Sequence, residues 1–268
     1  MEFLPITAII VGFNESILLP KCLDSLKFCQ EKIYIDLYST DNSADIAIKA
    51  GCSVFYEDRN TTPSCEMAQS IYYKSSKFEW IILIDPDEVI DDKLRDDLIG
   101  VYNLIKGNDE FGAVYVPWQF YFLGRKLRGT PWGGRNEKFL LIHKDRFMIE
   151  PVIHYGRYLK KEFKRLDISL NKEESNVLHH YWMNDISVFF KKHLRYIKNE
   201  GPDRFNMGNR TSLVQILKSP FLQFYFSFST KKGYKDGILG FFLSSFWSLY
   251  QMMSLISLYK FTIKEENN

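Results

Sequence analysis

Two kinds of segment alternate along the first 90 residues, and this alternation constrains the fold more than any other feature. Short apolar runs rich in β-branched residues predict strands, and the patterns between them predict helices. The predicted strands are 6–11, 33–37, 53–56 and 80–84, and the predicted helices are 16–28, 42–50 and 64–76. Because strands joined through helices run parallel, the sequence predicts an α/β fold with a mostly parallel sheet flanked by helices.

The second predicted helix carries signals at both of its ends. Asn42 is placed to cap its first turn, Asp45 follows three residues later, and Gly51 ends it. In a sheet of this kind the ligand site lies beyond the carboxyl ends of the strands. Functional residues are therefore expected directly after each predicted strand.

Polar loops, rich in carboxylates, follow three of the predicted strands. They contain Asn14 and Glu15 after the first strand, Asp36, Ser39 and Asp41 at the second, and Asp85, Asp87 and Glu88 after the fourth. Three carboxylates within four positions repel one another unless a cation or hydrogen-bond donors offset their charge. The last loop therefore predicts a metal site.

Two common nucleotide-binding motifs are absent from the sequence. No GxGxxG follows the first predicted strand and no GxxxxGK[ST] occurs, which argues against a dinucleotide fingerprint and a P-loop. A nucleotide would instead be held by carboxylates, which accept hydrogen bonds from a base or ribose. A carboxylate-bound Mg²⁺ or Mn²⁺ would bridge to its diphosphate.

Composition narrows the class of protein further. The chain has 268 residues, of which 46% are apolar, and this suffices for a large α/β core. Its 35 basic residues nearly balance 33 acidic ones, so no nucleic-acid partner is expected. The four cysteines show no CxxC spacing and the N-terminus lacks the basic start of a signal peptide, which favours a cytoplasmic protein with reduced thiols.

The motifs together resemble a known family. "VGFNES", "IDLYSTDNS" and "WIILIDPDE" are similar to successive motifs of family 2 glycosyltransferases with the GT-A (Rossmann-like) fold. The second half resembles the lipopolysaccharide-core glucosyltransferase-like branch of that family, in "LHHYWMNDISVFFKKHLRYIKNEGPDR" and "GYKDGILGF". The matching residues there are Lys192, Tyr196, Gly233, Tyr234, Asp236, Gly237, Gly240 and Phe241. The resemblance covers nearly the whole chain.

The resemblance implies roles for the acidic loops. Asp87 would be the direct metal ligand and a catalytic residue, Asp85 would contact the ribose or the metal, and His154 would be a third ligand of Mg²⁺ or Mn²⁺. Asn14, Glu15, Asp36 and Ser39 would bind the nucleoside-diphosphate sugar, with a UDP-sugar favoured. The family's small residues after Asp36 are replaced by Leu37 and Tyr38.

Each of these roles has a structural alternative. Asp36 could cap a turn, Glu15 could complement a helix dipole, and His154 could be a core or turn residue. Glu88 could either support the metal site or cap a helix beginning near Val89.

Sugar transfer by an inverting enzyme also requires a base for the acceptor hydroxyl. The first candidate is Glu137 and the second is Glu150. The related branch places an acid directly after the histidine that matches His154, but this sequence has Tyr155 there. "GTPWGGRNE" reads as a glycine-rich loop over the site. Its Trp132 could stack on a sugar ring or could simply pack.

The C-terminal part predicts a separate helical region. We expect a catalytic domain at 1–180 and a helical appendage at 181–268. Residues 237–259 contain no charged residue and follow Lys231, Lys232 and Lys235, which suits an interfacial helix on an anionic membrane, with an apolar patch at 220–228 beside it. A packed helix pair or a homodimer contact is the alternative.

The sequence therefore predicts a metal-dependent, inverting glycosyltransferase acting in lipopolysaccharide or capsule biosynthesis. Its acceptor would be a cell-surface glycan or a lipid-linked glycan, and its location the cytoplasmic face of the inner membrane. Two other classes stay open. An inactive GT-A-like scaffold would be expected to lose the paired aspartates, and a nucleotidyltransferase would normally carry a glycine-rich, basic first loop.

Overall fold

The structure is a computed structural model that describes residues 3–62, 64–134, 137–150, 156–183 and 185–266. The side chains of Arg195, Lys198 and Asn199 are also left undescribed. By contacts between its residues the chain divides into two compact units, residues 1–118 with 136–180 and residues 119–135 with 181–268. The predicted boundary after residue 180 is also a boundary of these units. Residues 119–135, predicted within the catalytic domain, belong to the second unit.

The described residues form the following strands and helices. The strands are β1 (Leu4–Gly12), β2 (Cys29–Asp36), β3 (Ser53–Tyr56), β4 (Trp80–Ile84), β5 (Glu88–Ile90), β6 (Phe111–Phe122), β7 (Arg125–Lys126), β8 (Glu137–His143), β9 (Phe147–Ile149), β10 (Arg157–Leu159), β11 (Lys164–Asp167) and β12 (Leu178–Met183). The helices are α1 (Leu19–Ser25), α2 (Ser43–Lys49), α3 (Cys65–Tyr72), α4 (Asp92–Ile105), α5 (Thr130–Gly133), α6 (Ile186–Asn206), α7 (Leu213–Tyr225) and α8 (Gly237–Glu266).

The main sheet confirms the predicted fold class. Its strand order is β3-β2-β1-β4-β8-β6-β12-β5, with β7 and β11 also paired to β6. The four strands predicted from the first 90 residues are parallel to one another. β8 adds antiparallel to β4, and β12 pairs antiparallel with β5.

β1 shows why the first unit folds around this sheet. Its alternate residues belong to two different apolar clusters, Ala8 and Ile10 to one and Ile9 and Val11 to the other. A strand buried on both faces has a continuous apolar sequence, as "ITAIIV" has. The helices therefore cover both faces of the sheet, and the polar residues are left to the strand ends.

The ends of α2 correct one prediction and confirm another. Asn42 stands at the cap position, but its backbone is not extended and its side chain makes no capping hydrogen bond. The side chain of Asp41 caps the helix instead, since its Oδ1 accepts hydrogen bonds from Ser43 N at 3.0 Å and from Ser43 Oγ at 2.6 Å. Gly51 ends the helix as predicted, with a φ of +77° in the left-handed region.

The second unit is built from α6, α7 and α8 and from a cluster of aromatic rings. Trp132 stacks on Trp182 at 4.8 Å between ring centroids and lies edge-on to Trp247 at 5.3 Å. His193 of α6 packs against Phe189 and Phe246 in the same cluster. Trp132 therefore packs against other rings, as its structural alternative expects.

The glycine motif before α8 forms a tight corner within this unit. A Cβ atom on Gly240 would lie 1.8 Å from the carbonyl oxygen of Gly233, so only glycine fits there. Asp236 accepts hydrogen bonds from the backbone N–H groups of Arg128 and Gly129, both at 2.8 Å. The motif that resembles the glycosyltransferase branch is thus explained here by packing.

Candidate active site

Three carboxylates meet in a tight turn at the carboxyl end of β4, as the sequence predicts. Asp85 N donates a hydrogen bond to Glu88 Oε2, and Glu88 N donates one to the carbonyl oxygen of Asp85, both at 2.9 Å. Glu88 caps no helix, because Val89 lies in β5 and α4 begins only at Asp92, where Asp91 is the cap. The capping alternative for Glu88 is therefore wrong.

A buried lysine, which the sequence reasoning missed, lies among these acids. Lys138 Nζ is 2.5 Å from Glu88 Oε2 and 3.2 Å from Asp85 Oδ2, and its side chain is only 8% exposed. It also lies 5.1 Å from the centre of the Trp118 ring, within cation–π range. The available signal was a lysine inside the apolar run "EKFLLIH".

The lysine and the acids change one another's protonation. Burial alone would raise the pKa of Asp85, but the charges of Lys138, Arg157 and His180 hold it well below its usual range. Burial and the charge of Asp85 raise the pKa of Glu88 against the opposing effect of Lys138. Burial would lower the pKa of Lys138, but the two carboxylates raise it above its usual value. The cluster is therefore an ionised Asp85 held by a protonated lysine.

His180 supplies a second cation and was also missed. The pairing of β12 with β5 sets His180 opposite Glu88, and its Nε2 lies 3.3 Å from Asp87 Oδ2. Its ring stacks on Trp118 with an interplanar angle of 2°. Burial would lower the pKa of His180, but the carboxylates led by Asp87 raise it. The double histidine in "VLHHYW" was the signal for it.

These two cations revise the reason for expecting a metal. Uncompensated negative charge in the turn was the reason to expect a metal, and Lys138 and His180 already offset part of that charge. Among the residues that the structure describes, no group of three or more His, Cys, Asp and Glu side chains could hold a metal ion. The predicted ligand His154 lies outside the described residues. Asp85 and Asp87 remain as two partly exposed carboxylates of one turn.

Two carboxylates of one turn fit one kind of metal site. Mg²⁺ is usually held by one or two carboxylates together with substrate phosphates, and it keeps several waters. Asp85 and Asp87 provide that donor set without a third protein ligand. The residues present therefore fit a divalent ion that is completed by a diphosphate.

The loops after β1 and β2 meet at the same edge of the sheet. The register pairs Gly12 with Asp36 and Ile10 with Ile84, so these loops and the acidic turn begin side by side. Asn14 N donates to Ser39 Oγ at 2.9 Å, and Asn14 Oδ1 accepts from Thr40 N at 2.7 Å. Glu15 N donates to Ser43 Oγ at 2.8 Å.

Asp36 is the most enclosed of the predicted donor-binding residues. Its Oδ1 accepts a hydrogen bond from Ser39 N at 2.5 Å, as the turn-capping alternative expects. Its Oδ2 is buried and has no hydrogen-bond partner among the described residues. A buried acceptor without a partner is costly, so this oxygen suits a ligand N–H or O–H once the side chains that cover it move.

Two exposed tyrosines flank Asp36. Tyr38 follows Asp36 by two positions and has a φ of +56°. Tyr56 is the register partner of Asp36 on β3. The two rings lie 5.9 Å apart between centroids, and both are more than half exposed. Tyr38 is one of the two residues that depart from the family pattern.

The candidate bases have defined partners. Glu137 lies next to Lys138 on β8 and therefore faces the other side of the sheet, where its carboxylate pairs with Arg165 at 3.0 Å and 3.2 Å. Glu150 follows β9 and accepts a hydrogen bond from Tyr158 Oη at 2.8 Å. Neither position tests the predicted role, so Glu137 stays a prediction. Tyr155 lies outside the described residues.

Comparison with known proteins confirms the predicted resemblance. No family model matches the chain. The lipopolysaccharide core biosynthesis glycosyltransferase LpsC of Rhizobium meliloti (strain 1021) is 24% identical over 267 residues, which cover 96% of this chain and 93% of that protein.

Likeness to solved structures is weaker. Glucosyl-3-phosphoglycerate synthase from Mycobacterium tuberculosis, solved with Mg²⁺ and UDP, matches with a TM-score of 0.40 at 13% identity, over 66% of this chain and 71% of that one. S. aureus TarS 1-349, solved with UDP, matches with a TM-score of 0.46 at 13% identity, over 87% and 75%. At these TM-scores the likenesses assign no role to any residue of this chain.

The nearly full-length relative and the sheet described above identify the class of protein. The chain is a glycosyltransferase of the GT-A type. Within that class it is a distant homologue of LpsC, whose name describes it as a glycosyltransferase of lipopolysaccharide core biosynthesis.

Proposed function

We propose that the protein transfers a sugar from a nucleoside-diphosphate sugar, with UDP as the favoured nucleotide, to a lipopolysaccharide-core or other lipid-linked glycan. The observation that carries this proposal is the acidic turn at the end of β4, where Lys138 and His180 hold Asp85, Glu88 and Asp87. It lies at the sheet edge that also presents Asp36. The nearly full-length likeness to LpsC supports the choice of acceptor class.

The proposal includes a divalent metal, Mg²⁺ or Mn²⁺, held by Asp85 and Asp87. When bound, the ion would offset the negative charge that grows on the leaving diphosphate. Lys138 positions Asp85 through their ion pair, and His180 orients Asp87 from the other side. Both cations also reduce the repulsion within the turn before any donor binds.

The donor nucleoside is assigned to the loops after β1 and β2. The buried Oδ2 of Asp36 would accept a hydrogen bond from a base N–H or a ribose hydroxyl. Asn14, Glu15 and Ser39 shape the neighbouring loop through their hydrogen bonds.

Glu137 is retained as the proposed base of an inverting reaction, a role that requires its carboxylate to leave Arg165 and reach the acceptor hydroxyl. Its carboxylate would take the proton of the acceptor hydroxyl while that oxygen attacks the sugar. Glu137→Gln should then lower kcat strongly and leave the affinity for the donor nucleotide unchanged. Unchanged kcat would remove Glu137 from the mechanism and leave the donor site intact.

The proposed function is tested by calorimetric titration of UDP, GDP, CDP and dTDP, with and without Mn²⁺. We expect one nucleotide to bind in a metal-dependent manner, and Asp87→Ala to abolish both this binding and sugar transfer. Asp92→Ala is the matched control, because Asp92 is an exposed acid on α4 of the same unit. It should bind like the wild type.

The other outcomes separate the alternatives. No nucleotide binding under any condition would favour the inactive scaffold. Tight binding of a nucleoside triphosphate with release of pyrophosphate would favour a nucleotidyltransferase. Full transfer activity of Asp87→Ala would overturn the assignment of this aspartate as a metal ligand.

We also place the protein at the cytoplasmic face of the inner membrane, as a peripheral protein. One helical segment, Gly233–Glu266, is long and apolar enough to span a membrane by length and composition, and a third of its most apolar stretch is buried. Buried residues recur along α8 at Leu243, Leu258 and Thr262, and Ser254 accepts a hydrogen bond from Arg204. These contacts favour a helix that stays packed within the second unit over one that spans the bilayer. A homodimer contact is the competing use of its exposed surface.

A further inference from the structure

One face of α7 is apolar and exposed along the whole helix. Some of its residues follow one another at intervals of three or four positions, and the others are their immediate neighbours in sequence. All of them therefore lie on one side of the helix. They are Leu213, Val214, Leu217, Phe221, Leu222 and Tyr225, and each is between 58% and 78% exposed. We refer to these six residues as the α7 face.

The opposite side of α7 is already used for packing within the second unit. Ile216 and Ser219 are buried, and Gln223 accepts a hydrogen bond from the Trp247 indole of α8 at 3.0 Å. The helix is therefore fixed to its unit by one side, and the α7 face is what remains on the surface.

The stretch of sequence that contains α7 carries charges of one sign. Residues 204–235 contain six basic residues and no aspartate or glutamate, and Asp203 and Asp236 adjoin the two ends of this range. Lys218 lies on the exposed half of α7 itself, and Arg210 precedes the helix as another exposed cation. Lys232 and Lys235 are exposed in the corner that follows α7. An apolar strip accompanied by exposed cations complements an anionic lipid surface, whose headgroups attract lysine and arginine above its hydrocarbon.

The neighbouring helices present weaker candidates. On α6 the exposed apolar residues Ile186, Val188, Phe190 and Leu194 are each less exposed than any member of the α7 face. α6 also carries Glu200 and Asp203, which an anionic surface would repel. On α8 the exposed apolar residues are spread over the helix, and apart from Ile238 each is less exposed than any member of the α7 face; they are Phe241, Leu249, Met253 and Ile263.

We infer that α7 lies flat on an anionic membrane surface, with the α7 face in the headgroup and upper acyl region and the lysines around it on the lipid phosphates. This assigns to α7 the contact that the sequence placed mainly on residues 237–259. The inference rests on the proposed peripheral location. It does not depend on the sugar-transfer reaction.

The test is co-sedimentation of the full-length protein with vesicles. Vesicles of equimolar phosphatidylglycerol and phosphatidylcholine are compared with vesicles of phosphatidylcholine alone. The test variant is Leu217→Glu with Phe221→Glu. The control is Leu104→Glu, which places one glutamate at an exposed leucine of α4 in the first unit. The wild type, the double variant and the control are each measured at low and high ionic strength.

We expect the wild type and Leu104→Glu to sediment with the anionic vesicles, less so at high ionic strength. The double variant should bind about tenfold more weakly or worse, because two apolar contacts are replaced by charges that the headgroups repel. A Phe221→Trp variant should gain blue-shifted fluorescence with anionic vesicles relative to the wild type. Both results would support the inference.

Three results would overturn it. The double variant could bind as well as the control, the wild type could bind no vesicles, or light scattering could show a wild-type dimer that the double variant breaks. The last result would assign the face to a second copy. Metal-dependent nucleotide binding is measured on the same double variant. Its retention while vesicle binding is lost separates this inference from the proposed reaction.

Discussion

The acidic turn after β4 and the glycine corner before α8 are both short polar segments, but they are held in different ways. In the turn, the partners of Asp85, Glu88 and Asp87 are charged side chains from distant strands, Lys138 and His180. In the corner, backbone meets backbone at Gly240 and Gly233, and Asp236 binds main-chain N–H groups. The first arrangement can be disturbed by changing charge, whereas the second responds mainly to changes in size.

Removing the charge of Lys138 should have the largest effect in the first unit. Lys138→Met leaves Glu88, which is fully buried, without its ion partner, and should lower the free energy of unfolding by about 3–5 kcal/mol. Urea denaturation measures it. Lys138→Arg keeps the charge and should lose less, and equal losses in both variants would show that size, not charge, matters at this position.

Gly240→Ala tests the corner. The new methyl group would meet the carbonyl oxygen of Gly233, so we expect a loss of about 2–3 kcal/mol or more in the free energy of unfolding. Gly100→Ala is the matched control, because nothing lies within 4 Å of its added Cβ atom in α4. That variant should be stabilised by about 0.5–1 kcal/mol. A harmless Gly240→Ala would mean that the corner opens readily.

These two segments also show what could be predicted from the sequence. Asp36, Asp85 and Asp87 were predicted at strand ends because the apolar period and the local motif are both contained in a few neighbouring residues. Lys138 and His180 were not, because they reach the turn only through the pairing of β8 with β4 and of β12 with β5. The sequence does not state which distant strands will pair.

Other differences have equally local causes. Asp41 replaces Asn42 as the cap of α2 because the backbone at Asn42 is already close to helical. Trp132 packs among rings that come from α6, α8 and β12. The local sequence "GTPWGG" contains no signal that predicts these long-range contacts. The helical part of the chain was recognisable as helical, but its internal contacts were not.

The smallest predicted effect concerns pH and the second unit. Burial lowers the pKa of His193, whose Nδ1 lies 2.7 Å from the carbonyl oxygen of Phe189. A lowered pKa in the folded state means that the unfolded chain binds more protons as the pH falls below about 6.5. The stability contribution of neutral His193 is therefore present above that pH and is lost as the pH falls.

His193→Gln should accordingly reduce the loss of Tm between pH 7.5 and pH 5.5. The corresponding change in the free energy of unfolding should be about 1 kcal/mol or less. Thermal unfolding at the two pH values measures it. A wild-type and variant pair with identical pH dependence would show that His193 is not the group that titrates.

The left-handed backbone at Tyr38 has a consequence for adaptation of this enzyme. A side chain other than glycine costs about 1–2 kcal/mol in that conformation, so replacement by glycine would be among the easiest ways to gain stability here. Strain of this kind persists where a side chain is needed, and the tyrosine ring stands exposed beside Asp36. Selection for heat resistance alone would thus be expected to remove Tyr38, and selection that includes activity would be expected to keep it.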